Sequence, residues 1–268
     1  MAKSNTSVLI TNTLSDVLYQ VKSVNDLQIL GGCTQVKELA EKTITIRSIP
    51  ELCSLEKKER YIDYGPGITL AKMAQTGRSN MSHVLYDAIN TVGNFATRNI
   101  ATLGGNICAL GQKHTLWAPL LALDARLEFK NSGETQYIFM SNFKEIPKGF
   151  VLTKIRVPYD EYEVEIFKRL GPSNSITPLS AGFVFLAQTQ KDIVANVKIA
   201  FAGTVVFRSR ELENKIIGAK LPLSQHYISL ILEEAEKLSQ EEFSGKDVLP
   251  IFKDQFLNLL RYSLEQLT

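Results

Sequence analysis

At 268 residues the chain is long enough for one large domain or two to three small ones, and it can bury a core without staples. Its 44% hydrophobic and 22% charged residues are the ordinary mix of a soluble globular protein. A net charge of +2 excludes the basic excess of a nucleic-acid binder, and no apolar run reaches the roughly 20 residues of a membrane-spanning helix.

The N-terminus, MAKSNTSVLITNT, has no long apolar stretch behind Lys3 and does not read as a signal peptide. Leu14, Val17, Leu18 and Val21 follow helical spacing, with Thr13 placed to cap the helix. Leu27–Leu30 reads as a short buried strand, and Gly31-Gly32-Cys33-Thr34-Gln35 follows at once. Val36–Leu39 is expected to start another helix. Strand, Gly-rich turn and helix is an arrangement in which backbone amides and a helix N-terminus face an anion. An ordinary strand-to-helix connection needs only one glycine. Thr43–Ile46 alternates as a strand, Gly65-Pro66-Gly67 is a turn, and Ile68–Met73 opens a helix with Thr69 as its cap. His83–Ile89 is predicted as a helix leading to Val92-Gly93.

The middle of the chain holds Ala101-Thr102-Leu103-Gly104-Gly105-Asn106. Two adjacent glycines let the backbone turn tightly and approach a ligand closely. A run of amides in such a turn can hold an anion, and Thr102 and Asn106 can add side-chain hydrogen bonds. An ordinary turn between two apolar segments is the alternative on the residues alone. The spacing fits neither G-x-G-x-x-G nor a loop ending in G-K-[ST]. Trp117–Leu123 is an apolar helix and Ala125–Lys130 a strand. Strands are expected at Phe150–Pro158, Glu163–Leu170, Ala181–Ala187 and Val197–Val206. Ser224 caps a helix over 225–238, and a last helix covers Phe252–Leu267 with Phe256, Leu257, Leu260 and Leu264 on one stripe. Cys33, Cys53 and Cys108 form no C-x-x-C pair, and His83, His114 and His226 are scattered, so no metal site is expected. An odd, sparse cysteine set suits a reducing compartment, and the cytoplasm is the expected location.

Gly93, Arg98-Asn99-Ile100-Ala101-Thr102-Leu103-Gly104-Gly105-Asn106 and Leu120-Leu121-Ala122-Leu123-Asp124-Ala125 resemble the second flavin loop, and the segment after it, of the FAD (medium) subunits of molybdenum hydroxylases. That family includes the flavoproteins of xanthine dehydrogenase and carbon monoxide dehydrogenase. Its first flavin loop commonly reads Ala-Gly-Gly-Thr-Asp. Here Cys33 stands for the second glycine and Gln35 for the acid, and a cysteine fits there only if its φ is negative. The strand ending in Pro158, the pair Phe167-Lys168 and the stretch Ile199–Val205 extend the resemblance over nearly the whole chain.

The resemblance implies an α+β protein. Residues 1–155 would form a two-lobed FAD-binding domain of the vanillyl-alcohol-oxidase type, and residues 156–268 a C-terminal sheet-plus-helices domain covering the flavin. FAD would be held by Leu30, Gly31, Gly32, Cys33, Thr34, Gln35 and Val36 of the first loop. Val92 and Gly93 would lie at its adenosine-diphosphate part. Ala101, Thr102, Gly105 and Asn106 would lie along the pyrophosphate and ribityl chain. Leu152 would pack on the ring. Thr115 stands where the family carries a cofactor-fixing Asp, and Ser175 lies where another Asp precedes an apolar strand. Lys168 is either a cation at the flavin N1–C2=O edge, favouring the anionic reduced form, or a solvated strand residue. Trp117 either covers a flavin or adenine ring or packs in the core.

The implied function is electron transfer. Electrons from [2Fe–2S] clusters of a small subunit pass through FAD to an acceptor such as NAD. A molybdopterin-binding large subunit, of the xanthine or purine type, oxidises the substrate. No acid–base residue of this chain is needed for that step. A stand-alone flavoprotein oxidase would need a substrate domain and usually a longer chain. An assembly subunit that keeps the fold with weak or no FAD binding is the alternative, given Cys33, Gln35, Ala109, Thr115 and Ser175.

Overall fold

A computed structural model describes residues 7–36, 38–109, 111, 113–173, 175–245 and 248–268. Lys3 of the N-terminal stretch and Lys37 within the expected Val36–Leu39 helix lie outside the described residues. The described residues fall into two compact units. The first takes 7–81, 93–109 and 124–159; the second takes 82–92, 111–123 and 160–268.

The first unit has two sheets, one per lobe. Strands β1 (Ser7–Ile10), β2 (Gln28–Leu30) and β3 (Lys42–Thr45) form a small parallel sheet in the order β1-β3-β2. Helix α1 (Leu14–Ser23) lies between β1 and β2 in sequence, and Thr13 accepts from the Asp16 amide as its cap. Val17 of α1 packs with Ile44, Ile46, Ile49, Leu52 and Val151. Strands β4 (Leu55–Lys57), β5 (Tyr61–Tyr64), β6 (Arg126–Lys130), β7 (Thr135–Phe139) and β8 (Val151–Pro158) form an antiparallel sheet in the order β4-β5-β8-β6-β7. Helix α2 (Leu70–Ala74) starts at Thr69, whose hydroxyl accepts from the Lys72 amide at 3.2 Å.

The helix expected over Val36–Leu39 is not seen among the described residues of that stretch. Among its described residues Val36 and Leu39 carry no regular structure and Glu38 is a bend. Only residues 31–41 connect the parallel strands β2 and β3, fewer than a helical crossover normally uses. Gln28 fixes the segment instead: its Oε1 accepts from the Ala40 amide at 3.0 Å. Strands β1, β4 and β7 are further elements that the sequence reading did not contain, being short, half-exposed or lacking a clear period.

In the second unit, β9 (Val164–Leu170), β10 (Ala181–Gln190), β11 (Ile193–Ala202) and β12 (Val206–Phe207) form an antiparallel sheet in the order β12-β11-β10-β9. The strand expected over Val197–Val206 is divided by a turn at Gly203–Val205, where the Gly203 amide bonds the Val205 carbonyl at 2.8 Å. On one face Phe183, Phe185, Phe201 and Ile199 pack against α7 (Arg210–Ile216), α8 (Gln225–Phe243) and α9 (Ile251–Leu264). Phe207 and Phe256 meet edge to face at 5.1 Å between ring centres. On the other face lie α3 (His83–Asn90) and α6 (Trp117–Ala122). Gly182 allows this: a Cβ there would stand 3.1 Å from the Ala118 Cβ. Coverage on both faces explains why β10 reads as a continuous apolar run rather than an alternating one. It also explains why two segments of the first 155 residues belong to the second unit: α3 and α6 bury their apolar sides on its sheet. Trp117 is buried with α6, with the Lys113 ammonium 4.1 Å from its ring centre.

No helix of the described residues is long and apolar enough to cross a membrane, and none of their His, Cys, Asp and Glu side chains cluster to hold a metal.

Candidate functional site

The two Gly-Gly stretches meet inside the first unit. A Cβ on Gly32 would fall on the Ile100 carbonyl group, 2.7 Å from its carbon and 3.0 Å from the Ala101 Cα. One on Gly31 would stand 2.5 Å from the Thr102 hydroxyl oxygen. Both distances are far inside van der Waals contact, so both glycines are required by the apposition of the loops. That is why the first loop carries two glycines where a plain turn needs one.

Cys33 corrects the expectation of a negative φ. Its φ is +58°, in the left-handed region, so it keeps a glycine-like backbone with a side chain attached. Such a conformation costs a non-glycine residue roughly 1–2 kcal/mol. The Cys33 thiol is exposed and lies 3.8 Å from the Gly31 carbonyl oxygen. Among the described residues, the amides of Gly32, Cys33, Thr34 and Gln35 donate to no protein acceptor, while the Val36 amide turns back to the Cys33 carbonyl at 3.5 Å. Consecutive unspent amides around one left-handed residue form an anion-binding concavity. Leu30 ends β2 just before it and no helix follows among the described residues up to β3, so the first loop offers amides, not a helix N-terminus.

The second loop is more ordered than a turn. Ala101 ends α4 (Phe95–Ile100), and Thr102 caps α5 (Leu103–Cys108), its hydroxyl accepting from the Gly105 amide at 3.1 Å. The other early amides of α5 are spent as well. Leu103 donates to the Ile68 carbonyl at 3.0 Å and Gly104 to the Pro66 carbonyl at 2.8 Å. The Gly65-Pro66-Gly67 turn is therefore the bed of this loop. A Cβ on Gly104 would lie 2.7 Å from the Pro66 Cβ, whereas Gly105 is exposed and would meet only the Thr102 hydroxyl, at 3.0 Å. Gly104 serves packing and Gly105 leaves an open approach. Asn106 is buried. At the start of this segment Gly93 has φ +50°, and its carbonyl accepts from Arg98 Nη1 at 3.0 Å.

Leu152 also belongs to the first unit, buried in β8 opposite Phe129. Val92, Thr115 and Lys168 belong to the second. Thr115 is buried beside Gly182 of β10. Lys168 lies on the β9 face that also carries Ile166 and Leu170, with its ammonium 5.6 Å from the Tyr262 ring centre on α9. Strand alternation turns the next residue to the opposite face. There Arg169 donates to the carbonyls of Thr91 at 2.6 Å, Pro172 at 2.8 Å and Ser175 at 2.9 Å, tying the 172–175 loop to the residue before Val92. The sequence reading missed Arg169, although two adjacent cations on a strand must face opposite ways. His114, next to Thr115, is buried, and burial pushes its pKa below the usual imidazole value.

Residues 4–160 match the family model described as the FAD binding domain in molybdopterin dehydrogenase. Over 249 residues the chain is 24% identical to abscisic-aldehyde oxidase of Arabidopsis thaliana, covering 80% of this chain and 19% of that protein. It is 24% identical over 146 residues to the glyceraldehyde dehydrogenase medium chain of Sulfolobus acidocaldarius, covering 52% of each. The chain thus spans less than a fifth of the length of the plant aldehyde oxidases it matches. Among solved structures it resembles a chain of a Cu,Mo-CO dehydrogenase in a cyanide-inactivated form, with a TM-score of 0.83 at 14% identity over 100% of this chain and 99% of that one. A chain of quinoline 2-oxidoreductase from Pseudomonas putida 86 gives 0.77 at 15% identity over 98% and 95%. Both likenesses are of fold.

Proposed function

The chain belongs to the family of FAD-binding domains of molybdopterin dehydrogenases, with FAD as its cofactor, and we propose that it works as the flavin subunit of a molybdenum-containing hydroxylase. The observation that carries this reading is the run of unspent amides from Gly32 to Gln35, set beside the open Cα of Gly105. A diphosphate needs donors that no protein acceptor already uses, and these residues supply them. The fit is therefore good on the first loop. The second loop contributes shape, because its α5 amides are already bonded within the protein.

When bound, FAD accepts electrons and hands them on. The protein's share is to hold and orient it. The first-loop amides would hold the pyrophosphate, Gly105 would let the cofactor approach the backbone, and Arg169 would fix the backbone beside Val92. Electrons would come from [2Fe–2S] clusters of a small subunit and leave to an acceptor such as NAD. The oxidation itself would belong to a molybdopterin-binding large subunit. Its substrate would be of the purine class read from the sequence, or of the aldehyde class that the names of the relatives carry. A cytoplasmic setting suits three cysteines that form no disulfide among the described residues.

A second reading, an assembly subunit with weak FAD binding, draws on Gln35 and Thr115 standing where the family has acids. A visible spectrum of the purified chain, with the released cofactor identified by chromatography, separates the two. Flavin bands at about one FAD per chain support electron transfer. A colourless chain that takes up no added FAD sinks it and leaves assembly.

A further inference from the structure

The outer face of the five-stranded sheet in the first unit holds a cavity of about 110 Å³ lined by Arg126, Glu128, Tyr137, Lys154 and Arg156. We propose that this cavity binds a compact oxyanion, a phosphate group, at a site separate from the two glycine loops.

The register creates the cation cluster. Arg126 of β6 and Arg156 of β8 are directly opposite each other; Asp63 of β5, paired to Arg156 on its other side, takes the Arg156 guanidinium, so Arg126 is the cation left for an added anion. Each guanidinium is laid on an aromatic ring: Arg156 is 3.8 Å from the Tyr61 ring centre, and Arg126 is 4.6 Å from that of Phe139. Stacking fixes the planes, so less freedom is lost when an oxyanion is bound.

The carboxylates nearby are already committed. Asp63, 4% exposed, accepts from Arg156 Nε at 2.8 Å and Nη2 at 2.9 Å, and lies 3.5 Å from the Lys154 ammonium. Glu128, 7% exposed, accepts from the Thr153 hydroxyl at 2.8 Å and the Tyr137 hydroxyl at 3.2 Å, and pairs with Lys130 at 3.2 Å. Glu56 on β4 pairs with Lys58. Over the face, Lys58, Arg126, Lys130, Lys154 and Arg156 oppose Glu56, Asp63 and Glu128, leaving a positive surplus. Arg126 makes its ring contact with Phe139 and no ion pair among the described residues. A doubly charged oxyanion matches that surplus, and the planar guanidinium fork of Arg126 matches its oxygens. A cavity of about 110 Å³ is larger than one water needs and has room for a phosphate.

The test is calorimetric titration of inorganic phosphate into the full chain with FAD at saturation, at constant ionic strength balanced by chloride. Glycerol 3-phosphate forms a second arm and separates a site for free phosphate from one for a phosphate monoester. The expected result is saturable binding at one site per chain, weakened about tenfold or more by Arg126→Gln and unchanged by Arg261→Gln on α9. Arg126 is exposed, so its variant is expected to fold; a melting curve checks this. No saturation by about 10 mM in either arm would overturn the proposal. So would phosphate binding that survives Arg126→Gln but is lost in Thr102→Ala, which would put the anion at the flavin loops. Binding of polyglutamate without saturable phosphate binding would also overturn it, and would make the face a protein-docking surface.

Discussion

Gly32→Ala tests the apposition of the two loops most directly. The added methyl would overlap the Ile100 carbonyl and lie 2.7 Å from its carbon, against an ordinary carbon–carbon separation of about 3.5 Å. The obstacle is backbone, bonded in place: Ala101 donates its amide to the Thr97 carbonyl at 2.8 Å, and its own carbonyl accepts from Leu70 at 2.9 Å. Relief therefore requires the first loop to withdraw by about an ångström, at an overpacking cost of ~1–3 kcal/mol. In a chain of this size that lowers the melting temperature by roughly 2–4 °C per kcal/mol. The withdrawal also moves the amides of Cys33 to Gln35 relative to Gly105, so FAD affinity should fall about 10- to 100-fold. The assay is FAD titration by flavin fluorescence together with thermal melting of the apo chain. Gly133→Ala is the control, since a Cβ there would meet only the Asn131 side chain at 3.7 Å. Wild-type melting and wild-type FAD affinity in Gly32→Ala would refute the argument that the loops are locked together.

Thr102→Ala removes the acceptor of the Gly105 amide and should cost ~1 kcal/mol of stability along with FAD affinity, read by the same two assays. Glu213→Gln removes the negative charge that faces the buried Arg208 guanidinium. The pair sits 3.0 Å apart with side chains 8% and 7% exposed, and Glu213 also accepts from the Ile199 amide at 2.9 Å. Breaking it should cost about 3–5 kcal/mol in urea unfolding, and a loss within error would show that the buried pair is not needed. Stability should fall on acidification in two ranges. Burial lowers the His114 pKa, so its contribution is present above the unfolded value of 6.5 and is lost as pH falls below it; His114→Phe should flatten that range. At Asp63 burial pushes the carboxyl up, but Arg156 and Lys154 outweigh it; at Glu128 burial is outweighed by Thr153 and Lys130. Both are held below the ordinary carboxylate range. Their stabilisation is therefore present above it and lost as pH falls through the lowered values, which a pH series of melting curves would show.

Long periodic segments were legible because their pattern is local. Thr13, Thr69 and Ser224 cap helices as their spacing predicts, since a cap needs only a hydroxyl and the amides two or three residues on. The α9 stripe was readable for the same reason: one face is covered and the other is wet. Helix α5 was not, because a helix starting at Leu103 with two glycines is weak by propensity. It stands because Thr102 caps it and the 66–68 turn takes its first amides. The residues after Gln35 look helical on their own and are held otherwise by a short parallel crossover.

The sequence by itself determined the long periodic helices, the main strands of the second unit's sheet, the glycine stretches and the family resemblance, because each is written in neighbouring residues. Tertiary structure alone decided what the glycines are for. Gly31 and Gly32 make room for Ile100–Thr102, Gly104 makes room for Pro66, and Gly105 is left open. It also decided that Cys33 adopts a left-handed backbone, that Lys168 meets Tyr262 while Arg169 bonds Thr91, and that Arg126 meets Arg156. These outcomes depend on which backbone lies against which, and residues 30 to 90 positions apart in sequence carry no local mark of that choice.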